Sequence, residues 1–202
     1  MQARPAAPAR RSFTEQARRT QIVKAAIATI AELGFRDASF ARIAERAGLS
    51  STGLISYHLA GRDELIGQVV SEVLGAIGSF MTERMAGAAD ATTALRTYIE
   101  ANVEFIGADR AEMKALLEIF VNGGFAYDAS TERAVVSPIE DILRAGQASG
   151  EFRDFDPTVM ATLVQRAVDG LPCLLAGDPG LDVASCAAEV ATAFALATRA
   201  GA

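Results

Sequence analysis

Thr52, Ser56, Tyr57 and His58 crowd onto one short stretch, and their hydroxyl, phenol and imidazole groups can both donate and accept hydrogen bonds. Catalysis is a poor use for them. His58 is the single histidine of the chain, with no second histidine or cysteine near it at metal-ligand spacing. A Ser-His-Asp or Cys-His relay would also need that imidazole in a pocket, not on a small outer helix. The pair Gly123-Gly124 follows a helical segment, which excludes a phosphate-cradling loop opened by a strand. Carboxylate pairs such as Glu100/Glu104 and Asp109/Glu112 read as solvated faces or helix caps. No enzyme, metal or cofactor is expected, and surface recognition is the chemistry that remains.

The surrounding residues explain how such a surface is built. Ser39 to Ala47 places Phe40, Ile43, Ala44 and Ala47 at helical core spacing. Gly48 closes that helix, since a residue without Cβ enters the left-handed conformation readily. Leu49 offers an apolar plug, and Ser50 or Ser51 can cap the next helix. That helix turns Leu54 and Ile55 inward and leaves Thr52, Ser56, Tyr57 and His58 outward. A short helix, a glycine turn and a second helix with a small polar face make a helix-turn-helix pattern suited to the DNA major groove. Tyr57 and Thr52 lead as DNA contacts, followed by Ser50, Ser51 and Ser56. Arg62 is expected on a phosphate, with Arg42 a weaker candidate for the same role. His58 is either a contact or a packed residue at the helix end.

Residues 21 to 65 resemble the N-terminal domain of the TetR family of bacterial transcription regulators. The matching positions are Ile22, Ala25 and Ala26, then Glu32-Leu33-Gly34-Phe35, Ile43-Ala44 and Ala47-Gly48-Leu49-Ser50, with Tyr57-His58 and Arg62-Asp63-Glu64-Leu65 following. Leu59 stands where the family usually has phenylalanine and Arg62 where it usually has lysine. The Ser50-Ser51-Thr52-Gly53 turn is about one residue longer than the commonest form. The resemblance implies a dimer that reads a palindromic operator, and an inducer pocket coupled to the head through the helix beginning at Asp63.

Charge distribution points the same way. The net charge is −6, yet residues 1–62 carry +6 and residues 63–202 carry −12. A positive head on a negative body is drawn to phosphates at one end and repelled at the other. Half the residues are hydrophobic and 22% are charged, enough apolar material for a substantial core. Cys173 and Cys186 suit neither a metal pair nor a secreted disulfide framework, so reduced thiols in the cytoplasm are expected. The first dozen residues lack the apolar core of a secretory leader, and no run of 18 apolar residues occurs, so no membrane span is expected.

The fold expected is all-α, a three-helix DNA-binding head followed by a larger helical ligand-binding and dimerisation domain. Residues 1–13 form a basic arm, whose Arg10 and Arg11 either reach a minor groove or are simply solvated. Residues 14–62 form the head, its first helix capped by Thr14 and stopped at Gly34. Residues 63–202 form the body, with Asp90 capping one helix and Asp109 with Glu112 starting another as a capping box. Next come a helix from Ser130 to Ala148 carrying Pro138, one from Asp156-Pro157 to Ala176, and one from Asp182 to Thr198.

An apolar effector could lie among Phe80, Met81, Met85, Tyr98, Phe105, Met113, Phe120, Phe125, Tyr127 and Met160, although for any one of them core packing is the more ordinary role. Glu104 or Glu118 could neutralise a cationic one. The last two long helices are apolar over a wide arc, and the resemblance implies that they form a four-helix homodimer interface through Val164, Ala167, Leu171, Ala187, Val190, Ala191 and Phe194. The function expected is a repressor released from double-stranded DNA by a small molecule. The alternatives are a helical ligand- or protein-binding dimer without DNA function, or a small helical enzyme.

Overall fold

The computed structural model describes residues 13–125, 128–178 and 180–201. Arg10, Arg11 and Tyr127 lie outside the described residues. All the regular elements described are α-helices, and the one β-type pairing among them is an isolated bridge between Phe152 and Arg199. In chain order they are α1 (Phe13–Leu33), α2 (Phe40–Arg46), α3 (Gly53–His58), α4 (Arg62–Met85), α5 (Ala91–Ala108) and α6 (Arg110–Val121). There follow α7 (Ala129–Ser149), α8 (Pro157–Asp169), α9 (Leu171–Gly177) and α10 (Val183–Thr198). The all-α reading holds.

Local chemistry sets most of the boundaries. Asp90, Asp128, Asp156 and Asp182 each stand at an N-cap and accept from amide N–H groups of the following turn. Gly34 ends α1 at φ +85° and Gly150 ends α7 at φ +81°, conformations a Cβ would disfavour. Three expectations are corrected. Thr14 lies inside α1, which is already helical at Phe13. Asp109 precedes α6 but makes no side-chain capping bond, because its own backbone (φ −109°, ψ 50°) is bound up with the end of α5. The long helix expected through Ala176 is two helices, α8 and α9. The break falls at Gly170-Leu171-Pro172, where the proline at the start of α9 has no N–H to continue the ladder.

Two apolar cores organise the helices. The first joins Ile22, Ala26 and Ile30 of α1, Ile43 and Ala44 of α2, Ile55 of α3, Leu65, Ile66, Val69, Val70 and Val73 of α4, and Ala115, Leu116 and Ile119 of α6. The head therefore has no core of its own: it shares one with the start of α4 and with α6. The second core gathers Leu95, Tyr98, Ile99 and Val103 of α5, Ile139 and Leu143 of α7, Met160, Ala161, Val164 and Val168 of α8, and Ala187 and Ala191 of α10. Met113 of α6 packs against this second core, so α6 touches both. By length and composition alone α4 could cross a membrane, but its first turns are the buried ones that join head to body.

One polar run crosses the second core. The Tyr98 hydroxyl donates to Gln165 Oε1 at 3.3 Å, and Gln165 Nε2 donates to Asp169 Oδ1 at 2.7 Å. Burial pushes the Tyr98 phenol up to about 12 and raises the Asp169 carboxyl. A second device ties α5 to the turn after α7: Glu151 accepts from the Thr92 N–H at 2.9 Å, from its hydroxyl at 2.9 Å and from the Ala91 N–H at 3.3 Å. The Thr92 N–H, first among these donors, holds Glu151 down at about 2, and the Ser130 hydroxyl with its neighbours does the same for Asp128.

Both carboxylates are held below their unfolded values of about 4, so the stability they give is full above pH ~4.5. It is lost as pH falls toward about 2. Thermal midpoints measured between pH 6 and pH 2 should fall steeply over that window, and the double variant Glu151→Gln, Asp128→Asn should start lower and fall less.

Candidate nucleic-acid interface

The two short helices are positioned by a few bonds at each end. The Ser39 side chain caps α2 through the Arg42 N–H at 3.4 Å. At the other end Gly48, at φ +62°, donates to the Glu45 carbonyl at 3.0 Å, and Leu49 donates to the Ala44 carbonyl at 2.8 Å. This pairing closes a helix through a left-handed residue and points the chain sharply away. Gln21 of α1 reaches across and donates from Nε2 to the Ala47 carbonyl at 2.6 Å. The turn then enters α3 with Thr52 as N-cap residue and no side-chain capping bond. Ser50 and Ser51 are not caps; the Ser51 carbonyl accepts from Leu54 at 3.3 Å instead.

Within α3 the inward positions are Ile55 and, just beyond the helix, Leu59, both fully buried. Ser50, Ser51, Thr52, Ser56 and Tyr57 are exposed, Tyr57 to 80%. The Tyr57 ring stands edge-on to the His58 ring with centroids 5.0 Å apart. His58 is half-buried, and its Nδ1 is covered without a hydrogen-bond partner among the described residues. Arg42 is exposed and donates from Nη1 to the Asp37 carbonyl at 3.1 Å. These residues are all open to solvent, except His58, which is half-buried.

Arg62 is placed differently from its expected position on a phosphate. Its Nη2 donates to the Phe35 carbonyl at 2.7 Å, its Nη1 donates to the Ala38 carbonyl at 3.0 Å, and its guanidinium lies 4.9 Å from the centre of the Phe35 ring. A rigid fork that satisfies two carbonyls and stacks on an aromatic face is a positioning group for the α1–α2 loop. Arg46 pairs with Glu32. Lys24 and Arg36 are exposed.

The sequence reading missed the group that locks α3. Arg19 of α1 is 6% exposed, donates to the His58 carbonyl at the end of α3, and pairs through Nη2 with Glu64 Oε1 of α4 at 2.6 Å. Glu64 Oε2 accepts from the Ala60 N–H at 2.6 Å. One buried guanidinium thus joins α1, α3 and α4. The signal was its spacing: Arg19 stands three residues before Ile22 and seven before Ala26, on the apolar face of α1.

The expected effector residues are divided between the cores. Tyr98 and Met160 are buried in the second, with Met81, Met85 and Met113 packed against it. Phe120 packs against the first, Phe80 stacks edge-on to the buried Phe105 at 5.5 Å, and Phe125 is exposed. A cleft of about 700 Å³ opens elsewhere, between α5 and α10, lined by Glu100, Glu104, Gly107, Asp182, Val183 and Ala187 among others. Glu104 pairs with Arg84, and Glu118 is engaged with the Phe35 backbone, so neither stands ready for a cation.

The expected interface residues are likewise displaced. Val164, Leu171, Ala187 and Ala191 are buried in the protomer's own second core, Val190 and Phe194 pack against it, and Ala167 is half-buried. The exposed apolar side chains of these helices are Val159 (57%), Leu163 (53%), Leu174 (50%) and Leu196 (62%).

This is an all-helical protein with a helix-turn-helix head fused to a two-core helical body. Its fold is that of the TetR-family regulators: a TetR-family transcriptional regulator from Rhodococcus sp., described as putative, superposes with a TM-score of 0.77 at 24% identity, over 89% of this chain and 98% of that one. In sequence, the regulator BetI 1 of Chromohalobacter salexigens is 34% identical over 101 residues, half of each chain. BetI of Burkholderia mallei is 26% identical over 161 residues, 79% of this chain and 78% of that one. The match thus spans about half the length of the first of these relatives and about four fifths of the second. No protein-family model matches the chain. The resemblance carried by residues 21 to 65 stands, and the chain is TetR-like.

Replacing Arg19 by alanine takes away the cation paired with Glu64 and uncouples the end of α3, a loss of about 2–3 kcal/mol for a pair that is partly solvated. Calorimetry of Arg19→Ala should show that loss, while Arg18→Ala, on a half-buried neighbour that bonds only Gln21 of its own helix, leaves the unfolding transition within about two degrees of wild type.

Proposed function

We propose that the protein is a regulator of transcription, a homodimer that holds a palindromic operator through its two heads and releases it when a small apolar molecule enters the body. The observation that carries this reading is the exposed set formed by Ser50, Ser51 and Thr52 of the turn with Ser56 and Tyr57 of α3, a helix anchored by the fully buried Ile55 and the following Leu59. Hydroxyl and phenol groups held rigidly on a convex helix suit base edges and phosphates, and they suit a catalytic pocket poorly. The relatives and the structural neighbour are named as regulators of transcription, which supports a regulator over an enzyme. A cytoplasmic location follows from that role.

A two-fold dimer sets two recognition helices about one DNA turn apart. The side of α8–α10 that carries Val159, Leu163, Leu174 and Leu196 is the face we assign to the partner, in place of the residues buried within the protomer. Effector binding in the second core, near Tyr98 and Met160, would favour a body conformation in which the heads are wrongly spaced.

Selection of duplexes from a random library is the direct test. A two-fold palindrome should be enriched, with affinity falling steeply as salt rises. On that duplex Tyr57→Ala should weaken binding by about ten-fold, since a good base contact is worth ~1–3 kcal/mol. Arg42→Ala should weaken all sequences alike and lower the salt slope by about one. Failure to enrich any sequence with folded protein would remove the regulator reading. In sedimentation experiments Leu163→Glu should convert the dimer to a monomer, and a dimer that survives it would place the interface elsewhere.

A further inference from the structure

Beside the shared apolar core, one backbone residue of the head is gripped by two helices of the body. Phe35 follows Gly34 in the loop between α1 and α2, and its backbone N–H and C=O are bound by different helices. Its N–H donates to Glu118 Oε2 of α6 at 3.1 Å, and its C=O accepts from Arg62 Nη2 of α4 at 2.7 Å. The side chain is held as firmly. Its ring lies under the Arg62 guanidinium and against Gly124, where an added Cβ would come within 2.4 Å of the Phe35 ring edge. Gly34 takes φ +85°, a turn that glycine allows, and brings the chain beside Glu118 Oε2. Asn122 steadies that carboxylate, donating from Nδ2 to Glu118 Oε2 at 3.2 Å and to the Glu118 carbonyl at 2.9 Å.

We infer that Glu118 is a positioning residue, the contact by which α6 sets the orientation of the helix-turn-helix head. α6, like α4, touches both cores, with Met113 against the second and Leu116 and Ile119 in the first. A displacement that starts beside Met113 reaches Glu118 within little more than one helical turn. There it meets a residue whose carbonyl α4 holds from the other side. Hydrogen bonds weaken steeply beyond about 3.2 Å, so a slide of roughly 1 Å between α6 and α4 parts one of the two bonds. The loop then follows one helix or the other, and packed interfaces switch between such arrangements instead of deforming smoothly. The carboxylate expected to meet a cationic effector instead grips the head.

The experiment uses full-length protein and three substitutions, read by hydrogen exchange of the backbone amides. Glu118→Ala removes the acceptor, Glu118→Asp keeps the charge but withdraws it by one methylene, and Glu118→Gln keeps an oxygen at full reach. One oxygen accepts both bonds, so reach decides. In the absence of DNA, exchange at residues 34–38 should rise roughly ten-fold in the alanine and aspartate variants and stay within about two-fold of wild type in the glutamine variant. Amides of α5 and α8 should be unchanged in all three, which separates a local release from general loosening. Equal exchange at 34–38 in wild type and both shortened variants would overturn the inference. A second arm rests on the proposed DNA reading and uses the duplex enriched from the random library. By reciprocity of coupling, saturating duplex should slow exchange in α6 of wild type and of Glu118→Gln, and leave α6 of Glu118→Ala unaffected. An α6 response of the same size in Glu118→Ala would also overturn it. If no duplex is enriched, the regulator reading falls, while the DNA-free arm still decides the role of Glu118.

Discussion

Helices of seven and six residues do not hold their shape alone in water, because nucleating a helical turn costs more than so few bonds return. Everything the head presents depends on the apolar core that backs α2 and α3. That core is not local. It runs from Ile22 and Ile30 through Ile43, Ile55 and Leu59 to Val69 and on to Ile119, ninety-seven residues from where it began. The small outer surface is rigid because the layer beneath it is shared with the rest of the molecule. The arrangement also makes the head sensitive to the body, since α6 cannot shift without disturbing the floor on which α2 and α3 rest.

Polar groups add direction to this apolar foundation. Arg19 fixes where α3 ends, Gln21 fixes where α2 ends, and Arg62 with Glu118 fixes the loop that leads into them. All four reach backbone groups, which keep the same chemistry whatever side chain is mounted on them. The positive charge of the head is accordingly divided in purpose. Arg19 and Arg62 are engaged within the protein, Arg42 and Arg46 are exposed while bonded to Asp37 and Glu32, and Lys24 and Arg36 face outward; the exposed four supply the field that phosphates would meet.

What the sequence displayed was local. The glycine turn at Gly48, the caps Asp90, Asp156 and Asp182, and the apolar faces of α1 and α4 can be seen in windows of a few residues, because their causes act over a few residues. What it hid was set by distance. Arg62 meets carbonyls 24 and 27 positions earlier, and Glu118 meets an amide 83 positions earlier, so nothing near either residue announces the partner. Helices rich in alanine on every side posed a different problem. For α8 and α10 the period does not say which apolar side is the protomer's own: of the residues chosen from the sequence, Val164, Leu171, Ala187 and Ala191 are buried within the protomer, whereas Ala167, Val190 and Phe194 are half-buried. The break at Gly170-Leu171-Pro172 was visible and was outweighed by the apolar run around it.

The residues that face outward from the two short helices and those that hold them in place are almost disjoint sets. Ser50, Ser51, Thr52, Ser56 and Tyr57 are solvent-facing, while Ile43, Ala44, Ile55, Leu59 and Arg19 carry the packing. Substitutions in the first set change little of what keeps the chain folded, and substitutions in the second change little of what the surface displays. Selection can therefore act on preference and on foldedness almost independently. Duplicated copies of such a gene could diverge in what they recognise within a few outward-facing codons, long before their scaffolds drifted apart.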